Sequence, residues 1–325
     1  MVNDLAEYLE ASLRLRVEHI PVPPCERVYP PGLAVLFSGG LDCTLLARMV
    51  HNIVPIHQEI DLLNVAFENP RVAEAAAKRT CELQGPQSLY ASCPDRITGR
   101  SSYQELTRVC PQRKWRFVCI DIPYTETIEH RPQITSLIKP HNTEMDLSIA
   151  CALYFAARGR GLVQDEATKL SKAYTTPARV LLSGLGADEI FGGYQRHATA
   201  FDRGGHSALI TELELDFGRL GNRNLGRDDR VLSHWGREVR YPYLDDCLVT
   251  WALGLPIWEK CGFGAQSESG ERLENRLEPG KKLLRLLALR MGMHGAAFEK
   301  KRAIQFGART AKMELGKIKG TQLLG

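Results

Sequence analysis

A Ser-Gly-Gly-Leu-Asp segment, residues 38–42, lies where two sequence patterns meet. The apolar residues 33–37 before it are typical of a buried strand, and residues 41–50 are typical of a helix. A glycine turn from a strand into a helix exposes backbone N–H groups that have no internal partner and that bind phosphate. Ser38 adds a hydroxyl donor, whereas the Asp42 carboxylate repels phosphate unless a cation lies between them. We therefore predict a Mg²⁺-nucleotide site at this turn.

A second segment of the same kind, Ser-Gly-Leu-Gly-Ala-Asp-Glu at residues 183–189, follows the apolar residues 179–182. Ligands of open parallel sheets bind at the carboxyl ends of strands, so both segments can face one site. Asp42 and Asp188 could then hold Mg²⁺ against a pyrophosphate. One glycine cluster alone can be a simple tight turn, but two of them at the ends of two strands favour a binding site.

Several other chemistries lack their motifs in this sequence. It contains no G-x-x-x-x-G-K-[ST] and no G-x-G-x-x-G segment, which excludes a Walker-type NTPase and the usual dinucleotide fingerprint. The nine cysteines form no C-x-x-C pair, so neither a zinc site nor a thioredoxin-like motif is indicated. Cys43 lies at a helix N-terminus, where the pKa of a thiol can be lowered, but no nearby base is evident.

Composition sets broad limits on the class of protein. A chain of 325 residues can form one large or two medium domains, and 44% hydrophobic with 25% charged residues is ordinary for a globular protein. A net charge of +4 accommodates a nucleotide without indicating nucleic acid. No apolar run approaches the roughly 20 residues of a membrane helix, and the start lacks a secretory pattern. We expect a cytoplasmic protein with neither membrane nor nucleic-acid partners.

The order of predicted elements indicates an α/β fold. Strands without polar alternation, separated by helical patterns, favour a parallel sheet with helices on both faces. The predicted strands are 33–37, 62–67, 116–122 and 179–182, and the predicted helices of this part are 4–17, 41–50, 72–83 and 144–158. From about residue 195 the chain is expected to be mostly helical, with helices at 208–220 and 281–291.

We divide the chain into an N-terminal helix and proline-rich connector, residues 1–31, and one domain over residues 32–325. Residues 262–280 are predicted to form a mobile loop. The basic tail, residues 300–319, is compatible with two interpretations: a solvated helical face, or a segment that closes over phosphates.

The two glycine-acid segments resemble the motifs of the ATP-pyrophosphatase (PP-loop) domain of the asparagine synthetase family. Residues 236–245 and 281–285 resemble two further motifs of that family. Four more segments, residues 61–67, 94–100, 224–230 and 301–307, are similar to one group within it. The resemblance extends from about residue 33 to residue 313 and implies the adenine nucleotide α-hydrolase-like PP-loop fold.

The resemblance also implies a two-step reaction. A substrate carboxylate, expected to be that of aspartate, attacks the α-phosphate of MgATP and releases pyrophosphate, and ammonia then attacks the acyl-adenylate. The resemblance places Lys281 at the reacting phosphate and makes it catalytic together with Asp42 and Asp188, which also hold Mg²⁺. It assigns ATP and pyrophosphate contacts, the adenine contacts being Val65 to Phe67, to Ser38, Gly39, Gly40, Asp42, Thr44, Val65, Ala66, Phe67, Ser183, Gly184 and Gly186.

The sequence also departs from the family. Val2 stands where the glutaminase domain of asparagine synthetases has its cysteine, and only about 30 residues precede the first strand. We therefore expect no glutaminase domain here, and ammonia that is free or supplied by a partner or a domain outside this chain. Leu185 replaces a glutamate of asparagine synthetases, or a tyrosine of β-lactam-forming relatives, that serves the second step. Ala303 replaces a lysine of many members, and Cys43-Thr44 replaces Ser-Ser.

These features leave competing functions. The first is an ATP-dependent amidoligase, favoured because Asp42, Asp188 and Lys281 are all present. The second is a catalytically impaired ATP-binding or scaffold module, favoured by Leu185, which can neither accept a proton nor orient ammonia. A tRNA-modifying relative is a third, but the sequence has neither a strongly basic surface nor paired reactive cysteines.

Overall fold

The computed structural model describes residues 1–20, 32–79, 89–165, 168, 170–264, 276–313 and 320–324. Its first half contains strands and helices in alternation. In chain order these elements are α1 (Val2–Val17), β1 (Leu33–Leu36), α2 (Leu41–Ile53), β2 (Ile60–Phe67), α3 (Pro70–Arg79), α4 (Pro94–Val109), β3 (Trp115–Ile122), α5 (Tyr124–Leu137), α6 (Glu144–Arg158), β4 (Arg160–Gln164), β5 (Ser171–Thr175) and β6 (Val180–Leu182).

The second half is mostly helical, as predicted. Its elements are α7 (Ala187–Phe191), α8 (Gln195–Leu220), a π-helical turn (Gly221–Leu225), α9 (Gly226–Ser233), β7 (Glu238–Arg240), a 3₁₀ turn (Pro242–Leu244), α10 (Asp246–Leu253), α11 (Ile257–Lys260), α12 (Lys282–Arg290), α13 (His294–Phe298) and α14 (Ile304–Gly307). The connector 21–31, the end of the predicted helix 72–83, residues 265–275 of the predicted loop and residues 314–319 of the tail lie outside the described residues.

The seven strands form one sheet in the order β5-β4-β3-β2-β1-β6-β7. The five strands from β3 to β7 in that order are parallel, which confirms the predicted α/β class. The sheet also contains two strands that were not predicted, β4 and β5, which are antiparallel at one edge. A two-stranded antiparallel ribbon can be joined by a short connection and can leave one face in water, so its half-exposed strands lack the continuous apolar runs of buried strands.

Helices cover both faces of the sheet, and the alternation along β1 shows why. Leu33 and Val35 point into one apolar layer, which includes residues of α1, α2 and α12, whereas Ala34 points into the other layer, beneath α6. The helix α1 belongs to the first layer through Leu5, Leu9 and Leu13, each of which is fully buried. Within the described ranges, every helix is too short or too polar to cross a membrane.

The sheet order brings the two glycine-acid segments together. β1 and β6 are hydrogen-bonded neighbours with Val35 opposite Leu182, and both strands end at the same edge of the sheet. β2 flanks β1 on the other side, so three strand ends meet where the nucleotide site is predicted.

Candidate functional site

The turn after β1 lies directly against helix α4. Gly39 has a φ of 84°, in the region that favours glycine. A Cβ atom at Gly39 would lie 2.4 Å from the backbone nitrogen of Gly99 in α4, so no side chain fits there. Inside the turn, the Gly40 N–H donates to the Ser38 hydroxyl at 3.3 Å. The turn therefore has a fixed shape that depends on glycine in two elements.

A buried hydrogen-bond network holds this turn in place. The Ser102 hydroxyl donates to the Gly39 carbonyl at 2.7 Å, and the Asn64 amide donates to the Phe37 carbonyl at 2.9 Å. Arg96 Nε in turn donates to Asn64 Oδ1 at 2.6 Å. These supporting residues of β2 and α4 had no assigned role in the sequence, because their contacts are distant in the chain.

The second segment touches the first. A Cβ atom at Gly184 would lie 3.0 Å from Cβ of Asp42, so the two turns approach within van der Waals contact. Gly186, with a φ of 100°, directly precedes α7, and a Cβ atom there would overlap Leu244. The helix α7 then places Asp188 beside Asp42 at the strand ends.

Two lysines neutralise the paired carboxylates. Lys281 Nζ lies 2.8 Å from both carboxylate oxygens of Asp42 and 2.9 Å from Asp188 Oδ1. Lys301 contacts the other oxygen of Asp188. Burial alone would raise the pKa of Asp188, but the charges of Lys281 and Lys301 outweigh it and hold this pKa well below its usual range. The centre therefore contains two carboxylates and two ammonium groups in close contact.

The backbone at Lys281 is unusual. Its φ of 57° and ψ of 34° are left-handed, which for a residue other than glycine costs of order 1 kcal/mol. The Lys281 N–H donates to the Phe191 carbonyl at 2.9 Å, and Gly280 packs so closely that a Cβ atom there would lie 2.9 Å from the Gly192 carbonyl oxygen. Such strain is typical of functional sites, and here these contacts aim the ammonium group at the two carboxylates.

The donor set fits a nucleotide-bound Mg²⁺ ion better than an independent metal centre. Asp42 and Asp188 supply hard oxygen ligands, but in the part of the chain that the structure describes no group of three or more His, Cys, Asp or Glu residues could hold a metal. Mg²⁺ is typically bound by one or two carboxylates together with phosphate oxygens. In such a complex the lysines would share the two carboxylates with the ion.

A cavity of about 350 Å³ opens at these strand ends. The predicted residues that line it are Ser38, Gly40, Asp42, Val65, Ser183, Gly184 and Asp188. A smaller adjoining cavity of about 50 Å³ lies between Lys281 and the first turn. The other predicted residues lie behind the cavity walls: Gly39 against α4, Gly186 under Leu244, and the fully buried Thr44, Ala66 and Phe67. Only Val65 of the proposed adenine contacts therefore reaches the cavity.

The structure corrects the expectation about the pKa of the Cys43 thiol. Its helix-terminal position suggested a lowered pKa, but burial raises the pKa of this thiol because the charged form is poorly solvated. Its Sγ lies 3.6 Å from the Ser38 hydroxyl. All cysteines among the described residues are free thiols.

The start of the basic tail reaches the site, which agrees with the interpretation in which it closes over phosphates. Besides the contact of Lys301 with Asp188, Arg302 lies 3.7 Å from Asp95 at the start of α4. One signal for this contact was present in the sequence, the similarity of residues 301–307 to a group of relatives, but the site role of Lys301 was not predicted. Asp95 was not predicted either.

Asp95 should make stability depend on pH. Burial raises its pKa to about 7, against the opposing charges of Arg302 and Lys301. The folded protein then binds more protons than the unfolded chain between about pH 4 and pH 7, so stability falls as pH rises through this window. Wild-type stability should fall by about 2.5 kcal/mol between pH 5 and pH 8, and we expect Asp95→Asn to abolish this fall, measured by urea unfolding. The control is Asp202→Asn, at an exposed aspartate, which should keep the wild-type fall in stability. If stability fell as much in Asp95→Asn as in the wild-type protein, the assignment of this pH dependence to Asp95 would be contradicted.

Comparison with known proteins agrees with this geometry. The family model described as asparagine synthase matches residues 167–205 and 202–291, which include the second segment and Lys281. The human "Asparagine synthetase domain-containing protein 1" is 39% identical, over 97% of this chain and 52% of the human protein. The resemblance to the asparagine synthetase family is confirmed. An asparagine synthetase domain-containing protein of Saccharomyces cerevisiae is 36% identical, over 99% of this chain and 55% of its own length.

One further relative is named for an enzymatic activity. The "Putative asparagine synthetase [glutamine-hydrolyzing] 1" of Methanocaldococcus jannaschii is 34% identical over 42% of this chain and 28% of its own length. The human and yeast relatives are named for the domain and not for a reaction. The chain spans about half the length of these two curated relatives.

Proposed function

We propose that this chain is an ATP-dependent amidoligase of the asparagine synthetase type, which adenylates a carboxylate, that of aspartate, and releases pyrophosphate. One observation carries the proposal: Asp42 and Asp188, from the ends of two neighbouring strands, converge on the buried Lys281 beside a glycine turn. That arrangement suits a polyphosphate with its cation, and it agrees with the family to which the sequence is similar.

The proposed roles follow from position and charge. Ser38 and the free N–H groups at the start of α2 would bind the pyrophosphate group, and Lys281 would stabilise the negative charge that develops as it leaves. Asp42 and Asp188 would hold Mg²⁺, which when bound neutralises phosphate oxygens. Val65 would contact the adenine ring. Ammonia for the second step would come from a partner, from solution or from a domain outside this chain.

The decisive experiment measures exchange of labelled pyrophosphate into ATP, with and without aspartate. We expect aspartate-dependent exchange that falls about 100-fold or more in Asp42→Ala, because the Mg²⁺ ion that would neutralise the phosphates loses one of its two carboxylate ligands. Asp202→Ala, an exposed aspartate of α8, is the matched control and should keep the exchange rate.

Leu185 supports a second candidate, an ATP-binding or scaffold module. Its side chain lines the cavity where an acidic group would serve amide formation. Measurable ATP binding without exchange for any carboxylate tested would favour this candidate. Absence of ATP binding would overturn both.

A further inference from the structure

The wall of the 350 Å³ cavity also contains the carboxyl group of Glu189, a residue of α7 that forms no ion pair with Lys281 or Lys301. Its side chain is 4% exposed. The Tyr194 hydroxyl donates to Glu189 Oε1 at 2.6 Å, and Asn224 Nδ2 lies 3.4 Å from the same oxygen. The other oxygen, Oε2, is buried and has no hydrogen-bond partner among the residues that the structure describes. One half of this carboxyl is therefore fixed and the other half is unused.

The neighbouring cations are engaged elsewhere. Lys301 contacts Asp188, and Arg196 contacts Asp216 while its guanidinium lies 4.0 Å from the centre of the Tyr194 ring. Arg223 lines the same cavity without an ion pair to Glu189. Within the described ranges, Glu189 thus lacks the counter-ion that the lysines give to Asp42 and Asp188.

A buried carboxyl with one unused oxygen is incomplete in either protonation state. Ionised, its Oε2 is an acceptor without a donor, and neutral, it offers a donor without an acceptor. A protonated amine would supply both the missing N–H donor and the missing positive charge, in a charge-assisted hydrogen bond.

We propose that Glu189 is the amine-binding residue of this cavity, with Oε2 accepting from an ammonium group while Tyr194 and Asn224 position the carboxylate. This inference rests on the proposed function, which offers two sources of that chemistry: the α-ammonium group of an amino-acid substrate, and the incoming ammonia. Glu189 lies in the helix that follows Leu185, and both residues line the cavity.

The test compares Glu189→Gln, which keeps the shape of the side chain but loses its charge, with the wild-type protein. Glu212→Gln is the matched control, because Glu212 lies 3.7 Å from Arg196 Nε but outside the cavity lining. Calorimetry measures the binding of aspartate, of succinate, which lacks the amine, and of ammonium chloride. Pyrophosphate exchange and amide formation are measured beside it.

If the amine belongs to the substrate, Glu189→Gln should weaken aspartate binding at least about 10-fold and leave succinate binding unchanged. If the amine is ammonia, exchange should stay at the wild-type rate while the KM for ammonium rises at least about 10-fold. Unchanged binding of every amine, or equal losses for aspartate and succinate, would overturn the inference.

The two hypotheses fail in different ways. A wild-type protein without exchange or amide formation would contradict the proposed function, and the calorimetric comparison would still decide whether Glu189 binds an amine. If Glu189→Gln does not fold, Tyr194→Phe is the second variant, because it removes the hydroxyl that fixes Oε1. It should also weaken the binding of the amine. An unaffected Tyr194→Phe variant would then count against the proposal.

Discussion

Lys281→Met should reduce pyrophosphate exchange by about 100- to 1000-fold, the range expected when one fixed donor to the transition-state charge is lost. The lysine is 2% exposed and forms ion pairs with both Asp42 and Asp188. Methionine has a similar length and apolar stem, so packing is largely kept while the charge is removed. The measurement is the exchange rate at saturating MgATP and aspartate.

Two comparisons make this result specific to charge at the site. Lys172→Met removes an exposed lysine of β5 that lines neither cavity at the strand ends, and it should leave the exchange rate unchanged. In Lys281→Met, Asp42 loses the cation that contacts both of its oxygens, so we also expect the variant to unfold at lower urea concentration. Exchange within about threefold of wild type would contradict the assignment of Lys281 to the reacting phosphate.

Gly99→Ala should lower the free energy of unfolding by about 3 kcal/mol and weaken ATP binding. A Cβ atom at this position would lie 2.5 Å from Asn64 Nδ2, which is held by hydrogen bonds to the carbonyls of Phe37 and Asp95. The methyl group must therefore displace either α4 or the buried amide that supports the turn. Because Gly39 packs against the Gly99 backbone, either movement changes the shape of the turn that we propose binds phosphate.

Gly218→Ala is the matched control for this substitution. Gly218 lies inside α8, and a Cβ atom there would meet no atom within 4 Å. The change should stabilise the helix by about 0.5–1 kcal/mol, since alanine loses less backbone entropy than glycine. Urea unfolding measures both variants, and equal effects of the two substitutions would contradict the proposed support of the turn by α4.

Local patterns in the sequence were sufficient to predict the part of the fold that positions the carboxylates. Apolar runs identified β1, β2, β3 and β6, and the two glycine-acid segments placed Asp42 and Asp188 after the ends of two strands, which the structure shows to be neighbours. Helix α6 was predicted with its observed bounds, and it is capped by Thr143, whose hydroxyl accepts from the Asp146 N–H. In these segments, local composition and tertiary environment favour the same structure.

Other elements were missed for identifiable physical reasons. Helix α4 carries polar residues on most of its surface and packs largely through Gly99, Ser102 and Arg96, so it lacks a clear apolar stripe. Helix α5 has Pro132 in its interior and almost no amphipathic pattern. The supporting network of the turn and the contact of Lys301 with Asp188 join residues far apart in the chain, and no local pattern reports such contacts.

The distance along the chain between the charges of the site has a consequence for its biosynthesis. Lys281 lies 239 residues after Asp42, and Lys301 lies 113 residues after Asp188. A nascent chain that has exposed both glycine turns therefore presents two neighbouring carboxylates before either neutralising lysine has left the ribosome. Repulsion between these carboxylates would oppose their close approach until residue 301 emerges, so we expect the charge centre of the proposed site to form after the strands that carry it.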